Sequence, residues 1–403
     1  MPEAMFDTAP RPLRIALLTH SVNPRGGVVH TLSLAEALSA AGHQVTVFAP
    51  ATPGQRMFRP VRCELALVPA PSHPPGVEAM VASRIAAFVA HLAGLAAERR
   101  FDVWHAQDSI GGNALADLRQ QGLIDRFVRT VHHLDDFDNP RLTAWQHRAF
   151  AEADQVLCVS RLWQDILRER HGIEAGLVHN GVDLRRYGPL AQPMDASVAL
   201  RHGLRAGAAV VLAVGGVEAR KNTRRLLAAF ALLHAQRPDT QLVIAGGASL
   251  LDHGAYLRGF HADLAASGLR LGAGEAVVLT GPVDDDDMPA LFRLARAVAM
   301  PSLREGFGLV VLEALASGTP VVVSRIAPFT EYLGDAPVAW ADPHDVGSIA
   351  AALDNAVQMP AFGLPAVCRR FSWEASARQH LQHYRGPPTQ QALPVGDRAA
   401  TPA

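Results

Sequence analysis

The sequence predicts an α/β protein built around two doubly wound parallel sheets. Short apolar runs alternate with longer amphipathic stretches along the chain, which is the pattern of buried strands joined by crossover helices. The 403 residues are enough for two domains of ordinary size. Apolar residues make up 49 % of the chain and charged residues 19 %, as is typical of packed globular proteins. A largely disordered chain is therefore excluded.

The first series of elements begins with a predicted strand at residues 13–19 (LRIALLT). Gly26 and Gly27 follow, then a helical pattern over residues 28–41 and a second strand at residues 44–49. Strand, glycine turn, helix and strand form one βαβ unit of a parallel sheet. Further strands are predicted at residues 103–106, 129–132 and 155–160.

A second series follows a looser stretch at residues 185–205. It begins with a predicted strand at residues 210–214 and a helix at residues 223–236, which ends before Pro238. A second helix is predicted at residues 309–316. Later strands are predicted at residues 241–245, 276–280, 298–300 and 320–324. Two consecutive series with separate glycine turns indicate two doubly wound domains.

The domain boundaries follow from these two series. We expect ligands beyond the carboxyl ends of the strands, and therefore a site in the cleft between the two domains. The predicted parts are a disordered start at residues 1–12, a first domain at 13–184, a second at 185–365, a last helical segment at 366–385 and a disordered tail at 386–403.

Overall charge and cysteine content limit the class of protein. The 37 Lys and Arg residues almost balance the 38 Asp and Glu residues, for a net charge of −1, which argues against a dedicated nucleic-acid binder. Three widely spaced cysteines favour a reducing compartment. The first residues do not resemble a secretory signal, and no uninterrupted apolar run of about 18 residues predicts a transmembrane helix. We expect a cytoplasmic protein, with peripheral membrane contact left open.

The loop after the strand at residues 210–214 carries the first candidate site. It reads GGVEARKNTRR and places Gly215 and Gly216 before Arg220 and Lys221, which lie at the start of a helix. Glycines permit close approach, a helix N-terminus favours anions, and two cations can hold a diphosphate. The alternative is a solvated basic patch, because two more arginines extend the charge run. The residue pattern alone leaves both interpretations open.

The segment PSLREGFGLVVLEALASG, which begins at residue 301, is the most specific feature of the chain. It places Glu305 in a loop and Glu313 one turn into the following helix. A carboxylate beside a helix N-terminus is electrostatically favoured, and it can accept two hydrogen bonds from vicinal hydroxyls of a sugar or ribose. The alternative is that Glu305 caps the helix and Glu313 lies on the surface.

Together these segments resemble family 4 of the glycosyltransferases, whose members retain anomeric configuration. The resemblance spans residues 13–385 and rests on five motifs in the order of the family. The motifs are the glycine loop 24–27 (PRGG), the interdomain segment 179–183 (HNGVD), the phosphate-binding turn 212–227, the Glu305-x7-Glu313 signature and the final segment 371–373 (FSW). The resemblance implies a GT-B architecture, in which two Rossmann-like domains face each other across the active site.

The resemblance also implies roles for individual residues. Lys221 and Arg220 would neutralise the donor diphosphate, with Arg220 replacing the arginine that many members carry at the position of Gly216. Glu305 would lie at the reacting face of the donor sugar, and Glu313 would hold the ribose hydroxyls. The other donor-binding groups that the resemblance implies lie at Gly26, Gly27, Gly215, Gly216, Phe307, Gly308 and Leu309.

In the first domain, polar residues follow two neighbouring predicted strands. His132 and His133 lie at one strand end, where the resemblance implies a catalytic histidine that contacts the donor sugar. We favour His132 because it directly follows the strand, and a structural histidine remains the alternative. His105 and Asp108, at the preceding strand end, are candidates for the acceptor site together with His133.

We therefore expect a retaining, metal-independent glycosyltransferase of the hexosyltransferase type. It would move a sugar from a nucleotide-diphosphate sugar to an unidentified acceptor hydroxyl, with no cofactor beyond this co-substrate. The acidic run at residues 284–287 (DDDD) invites a metal-binding interpretation, but a helix N-terminus explains it better. A GT-B nucleotide-sugar epimerase and a sugar-binding protein without turnover are the two alternatives.

Overall fold

Two parallel β-sheets, one of seven strands and one of six, form the framework of the protein. Every strand pair within them is parallel, which confirms the predicted α/β class with two doubly wound halves. The structure is a computed structural model that describes residues 11–71, 76–98, 101–247 and 254–386. Nearly all of the two predicted disordered ends lies outside the described residues.

The first sheet and its helices account for the first half of the chain. These elements are β1 (Arg14–Leu18), α1 (Gly26–Ala40), β2 (Gln44–Ala51), β3 (Glu64–Pro69), α2 (Val77–Glu98), β4 (Val103–Ala106), α3 (Ser109–Gln120), β5 (Val128–Val131), α4 (Pro140–Ala151), β6 (Gln155–Cys158), α5 (Arg161–His171) and β7 (Gly176–Leu177). The strand order is β3-β2-β1-β4-β5-β6-β7. The order therefore reverses at β1, where ligands of such sheets bind.

The second sheet repeats this plan. Its elements are α6 (Asp195–Arg201), β8 (Ala209–Val214), α7 (Thr223–Gln236), β9 (Thr240–Ala245), α8 (Gly254–Ser267), β10 (Val277–Gly281), α9 (Met288–Leu294), β11 (Ala297–Met300), α10 (Leu309–Ala316), β12 (Val321–Ser324), α11 (Phe329–Tyr332), β13 (Val338–Ala341), α12 (Val346–Gln358), α13 (Ala366–Arg370) and α14 (Trp373–Arg385). The order β10-β9-β8-β11-β12-β13 reverses at β8.

Helices on both faces of each sheet bury the strands almost completely. All residues of β4, β5, β6, β11 and β12 are buried, as expected for parallel strands covered on both sides. Alternate residues of a strand point to opposite faces. Accordingly, Leu17 packs in the same cluster as Trp373 of α14, whereas Leu18 packs with Phe88 of α2.

Several observed elements are absent from the sequence prediction, among them β3, α2 and α6. β3 (ELALVP) is an edge strand with a single neighbour, β2, and only one of its six residues is buried. Such a weakly buried strand lacks the apolar run that reveals the central strands. α2 is a 22-residue helix, and α6 is a seven-residue helix in the stretch of residues 185–205 for which the sequence predicts no regular structure.

Helix α2 also bears on the expected lack of a membrane span. The window Val77–Leu95 is long and apolar enough, by length and composition, to cross a membrane, although only 22 % of it is buried in the protein. The sequence alone does not predict a span here, because Arg84 interrupts the apolar residues of this window. In the structure α2 packs against α3 and β3 as one of the helices that cover the first sheet. Length and composition alone are weak evidence for a span.

The last helix returns to the first sheet. α14 packs against α1, and a short parallel bridge joins Val182 to Ser372 just before α14 begins. Gly181 makes this crossing possible, because a Cβ atom at that position would lie 2.3 Å from the backbone nitrogen of Trp373. The N-G-V-D segment is thus a point of close contact between two backbone segments that are distant in sequence.

This close contact predicts that Gly181→Ala destabilises the protein. Either the backbone or α14 must move, at a cost of about 1–3 kcal/mol, typical of overpacked sites. The matched control is Gly188→Ala, because nothing lies within 4 Å of a Cβ atom there and its φ is negative. Urea unfolding should show a lower midpoint for the first variant and an unchanged one for the control. Equal midpoints would contradict the proposed contact.

Candidate active site

The loops that follow β8 and β11 are tied together by their backbones. The Leu303 amide donates to the Arg220 carbonyl at 2.9 Å. The side-chain amide of Asn222 donates to the carbonyls of Pro301 (3.0 Å) and Pro343 (2.7 Å). Asn222 is 2 % exposed and has a left-handed backbone, φ 61°, a conformation that Asn tolerates better than most residues. Asn222 thereby fixes the start of α7, a role that the sequence alone does not reveal.

These loops bring the partly buried Lys221 and Arg220 against the buried Glu305. Lys221 Nζ lies 2.7 Å from Glu305 Oε1, and Arg220 Nη1 lies 3.2 Å from Glu305 Oε2. Glu305 is only 6 % exposed. Burial by itself would raise the pKa of Glu305, but the charges of Lys221 and Arg220 outweigh it and lower the pKa to about 2. Glu305 is therefore an ionised group between two cations and not a helix cap.

Two glycines allow Lys221 to lie against the backbone. Gly215 has φ +121°, and a Cβ atom there would lie 2.9 Å from Cε of Lys221. Gly216 has φ +73° and packs against Gly247, whose carbonyl oxygen would be 2.7 Å from an added Cβ atom. Both positions thus require glycine for conformation and for space. Gly247 is a further part of this turn, which the sequence alone does not reveal.

The start of α10 presents backbone N–H groups on the same side of the second sheet. Gly308 precedes the helix with φ +92°, and no described side chain caps it. The Phe307 ring is buried and stacks on Tyr332 with centroids 4.7 Å apart, which fixes the loop from behind. The first N–H groups of a helix, here from Leu309 onwards, lack partners within the helix and favour anions.

Glu313 has an environment opposite to that of Glu305. Burial raises the pKa of Glu313 to about 7, although Arg186 and a hydrogen bond from Tyr187 act against this shift. Arg186 is itself ion-paired with Asp285 at 2.5 Å, so its charge is largely compensated. Glu313 is consequently divided between its two protonation states near neutral pH, and it is not a solvated surface residue.

His132 lies where the two halves of the protein touch. Its Nε2 is 3.0 Å from the side-chain oxygen of Gln107, and its ring packs edge-on against buried His30 with centroids 4.5 Å apart. Its carbonyl oxygen would be 2.3 Å from a Cβ atom on Gly306. The glycine after Glu305 therefore permits the approach of this loop to the first domain. Gln107 and His30 were not identified from the sequence.

The neighbouring histidine has a different environment. The His133 ring is exposed and lies 3.3 Å from Asp135. Asp136 pairs with Arg304 of the β11–α10 loop at 2.8 Å across the cleft. Gly26 and Gly27 begin α1 on the same side, and a Cβ atom on Gly27 would lie 3.9 Å from the His132 ring.

The prediction that His105 lines the acceptor site does not fit the structure. His105 is fully buried, with Nδ1 2.7 Å from the Tyr384 hydroxyl and Nε2 2.8 Å from the Thr130 hydroxyl. Both ring nitrogens are occupied, so His105 helps to join α14 to the first sheet. Asp108, by contrast, lies at a strand end, where it caps α3 by accepting from the Gly111 amide at 2.8 Å.

The acidic run is explained by ion pairs. Asp285 pairs with Arg186, and Asp287 lies 2.7 Å from both Arg201 and His202. The run thereby links α6 and the interdomain connection to the start of α9. Within the part of the chain that the structure describes, no group of three or more His, Cys, Asp or Glu side chains is arranged to hold a metal ion.

Two family models match the chain and divide it at the connection between the sheets. The model described as Glycosyltransferase Family 4 matches residues 24–186, and the model described as Glycosyl transferases group 1 matches residues 200–375. The chain belongs to the group 1 glycosyltransferases with GT-B architecture. This confirms the family and the transferase activity expected from the five motifs.

Individual relatives agree with this assignment. The chain is 29 % identical to a D-inositol 3-phosphate glycosyltransferase of Salinispora arenicola, over 93 % of this chain and 92 % of the relative. Sucrose-phosphate synthase of Thermosynechococcus elongatus superposes with a TM-score of 0.74 at 25 % identity, over 93 % and 98 % of the two chains. HepE of Anabaena, solved with UDP and glucose, has the same fold (TM-score 0.71, 18 % identity, 92 % and 99 % covered). None of the three is named an epimerase, so that alternative gains no support.

The contrasting glutamates predict stability changes of opposite sign. Glu313 has a pKa raised from 4.5 to about 7, so the folded state binds extra protons in that window and loses stability as the pH rises through it. Glu313→Gln should therefore be more stable than the parent protein at pH 8, by up to about 3 kcal/mol, and nearly equal to it at pH 4.5.

Glu305 has a pKa lowered from 4.5 to about 2, so its ionised form contributes stability that is fully present above pH 4.5 and is lost as the pH falls towards 2. Glu305→Gln should be less stable than the parent at pH 8, by about 3 kcal/mol, because two partly buried cations lose their counter-ion. Thermal unfolding of both variants at pH 4.5 and pH 8 measures these effects. Shifts of the same sign at pH 8 would show that one environment is misassigned.

Proposed function

We propose that the protein transfers a sugar from a nucleotide-diphosphate sugar to an acceptor hydroxyl with retention of anomeric configuration. The observation that carries this proposal is the cluster of Lys221, Arg220 and Glu305 beside the uncapped start of α10. Two cations and a helix N-terminus can bind a diphosphate, and the carboxylate can accept hydrogen bonds from sugar hydroxyls. The acceptor would then bind in the cleft beside His132, on the side of the first domain.

The donor is proposed to be a nucleotide hexose. HepE, which shares the fold, was solved with UDP-glucose, and this makes UDP-glucose the first donor to test. Glu313 would hold the ribose hydroxyls, and the N–H groups near Phe307, Gly308 and Leu309 would contact sugar or phosphate oxygens. The glycines at Gly215 and Gly216 leave room for the diphosphate beside Lys221.

Departure of the nucleoside diphosphate separates charge in the transition state. The leaving group becomes more negative while the sugar becomes oxocarbenium-like, so cations fixed at the diphosphate stabilise the transition state more than the ground state. Each carboxylate oxygen of Glu305 is already paired with a cation, which suits positioning and not nucleophilic attack. Glu305 and Glu313 are therefore not a glycosidase pair. Attack on the face of departure, with a phosphate oxygen taking the acceptor proton, then gives retention.

Charge compensation by side chains makes a metal unnecessary in this scheme. Lys221 and Arg220 supply the positive charge that a divalent cation supplies at many diphosphate sites. No cofactor beyond the nucleotide sugar is needed, and the proposed location is the cytoplasm, where nucleotide sugars are available. Transfer assays with excess EDTA should retain full activity, and restoration of lost activity by Mg²⁺ or Mn²⁺ would refute metal independence.

Removal of the Lys221 charge should reduce transfer strongly. We expect Lys221→Met to lower kcat by about 100-fold or more, as when one preorganised electrostatic group is removed. Arg224→Met is the matched control, because Arg224 lies only three residues further on, in the first turn of α7, but pairs with the partly exposed Asp263 of α8 and not with Glu305. Release of nucleoside diphosphate and of transferred sugar from a panel of donors measures the effect, and proton NMR of the product reports its anomeric configuration.

Equal rates of sugar transfer for Lys221→Met and the parent protein would refute the proposed donor site. An inverted product would refute retention while leaving the site intact. Tight donor binding without any turnover over a wide acceptor panel would favour the sugar-binding alternative.

A further inference from the structure

A chain of alternating charges connects the first domain to Glu313. It begins at Glu36 of α1, passes through Arg59 in the loop between β2 and β3, and continues to Asp285 just before α9. Arg186, in the connection between the sheets, then joins Asp285 to the surroundings of Glu313. The chain therefore crosses from one domain to the other and ends at a carboxylate of the proposed donor site.

Arg59 is held in place by its own domain. Its Nη1 and Nη2 donate to the two carboxylate oxygens of Glu36 at 2.8 and 3.1 Å, a bidentate pair with a fixed orientation. The remaining nitrogen, Nε, lies 3.9 Å from Oδ2 of Asp285. The side chains of Arg59 and Asp285 are only 14 % and 13 % exposed, so salt and water screen their attraction less than at an open surface. A guanidinium of the first domain is therefore presented to a carboxylate of the second.

Two guanidinium groups share one oxygen of Asp285. Arg186 Nη1 lies 2.5 Å from the same Oδ2 that Arg59 approaches, and Arg186 Nη2 donates to the Asp285 backbone carbonyl. Each cation that approaches this oxygen weakens the attraction between the carboxylate and the other cation. With Arg59 in place, Arg186 keeps more of its charge for other anions, whereas without it Asp285 neutralises Arg186 alone. The contact between the domains thus sets how much positive charge Arg186 retains.

Glu313 is the anion that this remaining charge reaches. Arg186 and the Tyr187 hydroxyl favour the ionised form of Glu313, whereas Asp285 disfavours it. The elements that pack against α10 are α9, α13, β11 and β12, and their own ionisable side chains have other partners. These side chains and partners are Arg293 with Asp195, Cys368 with the Leu312 carbonyl, Arg369 with the Leu364 carbonyl and Arg370 with the Tyr332 carbonyl. Glu313 therefore responds mainly to Arg186, Tyr187 and Asp285.

We propose that Arg59 and Asp285 are positioning residues that set the charge of Glu313, so that the first domain tunes how tightly the second domain holds the ribose of the donor. This inference rests on the proposed function, from which it takes the ribose contact of Glu313. An ionised carboxylate can accept hydrogen bonds from both ribose hydroxyls, whereas a protonated one uses an oxygen as a donor. Loss of the contact between Arg59 and Asp285 returns Arg186 to Asp285 and favours protonation of Glu313. Contact between the domains and retention of the nucleotide are thereby coupled.

The pH dependence of UDP-glucose binding tests this coupling by calorimetric titration. The parent should bind up to about ten-fold more tightly at pH 8 than at pH 6, because Glu313 ionises around its pKa of about 7. Asp285→Asn should move the midpoint of this change to lower pH and Arg59→Gln to higher pH, each by about half a pH unit or more. The matched controls are Asp286→Asn and Arg56→Gln, exposed neighbours in the same two segments, which should leave the midpoint unchanged.

A second measurement separates this inference from the proposed function, because it uses no nucleotide. Urea unfolding of the parent and of each variant, with and without Glu313→Gln, follows the titration of Glu313 itself. Midpoints of that titration that stay in place, or that move in the same direction in Asp285→Asn and Arg59→Gln, would overturn the coupling. Opposite shifts, together with UDP-glucose binding that is absent or indifferent to Glu313→Gln, would instead refute the proposed donor contact and leave the coupling standing. If Asp285→Asn does not fold, the upward shift in Arg59→Gln decides alone.

Discussion

The buried charge of Glu305 is the constraint on which the rest of the site depends. Removing a carboxylate from water costs several kcal/mol unless cations and hydrogen bonds compensate for it. Its partner Lys221 is 84 residues away in sequence, so the pair exists only because β8 and β11 are neighbours in the second sheet. Asn222 then ties the two loops together, and without this rigid frame neither charge could be buried at low cost.

The same constraint extends to the first domain. Because Glu305 is held inward, Gly306 comes close enough to touch the His132 backbone, and the indole of Trp163 donates to the Glu305 carbonyl at 3.2 Å. Glu331 completes the contact by accepting from the amides of Arg161 and Leu162 at the start of α5. The conformation of this loop is set by an ion pair in the second domain. The same loop thus forms part of the surface that contacts the first domain.

Much of the fold was predictable, because central parallel strands are continuous apolar runs and their helices have clear ends. The helices at residues 223–236 and 309–316 were predicted with the observed bounds, and β4 likewise. Edge strand β3 and short helix α6 lack those signals. In the site, the charged residues were visible in the loops, but their pairing was not, since it depends on strand order. For the same reason, the sequence does not show which strand-end histidine is buried. His105 is buried because α14 covers it in the folded protein.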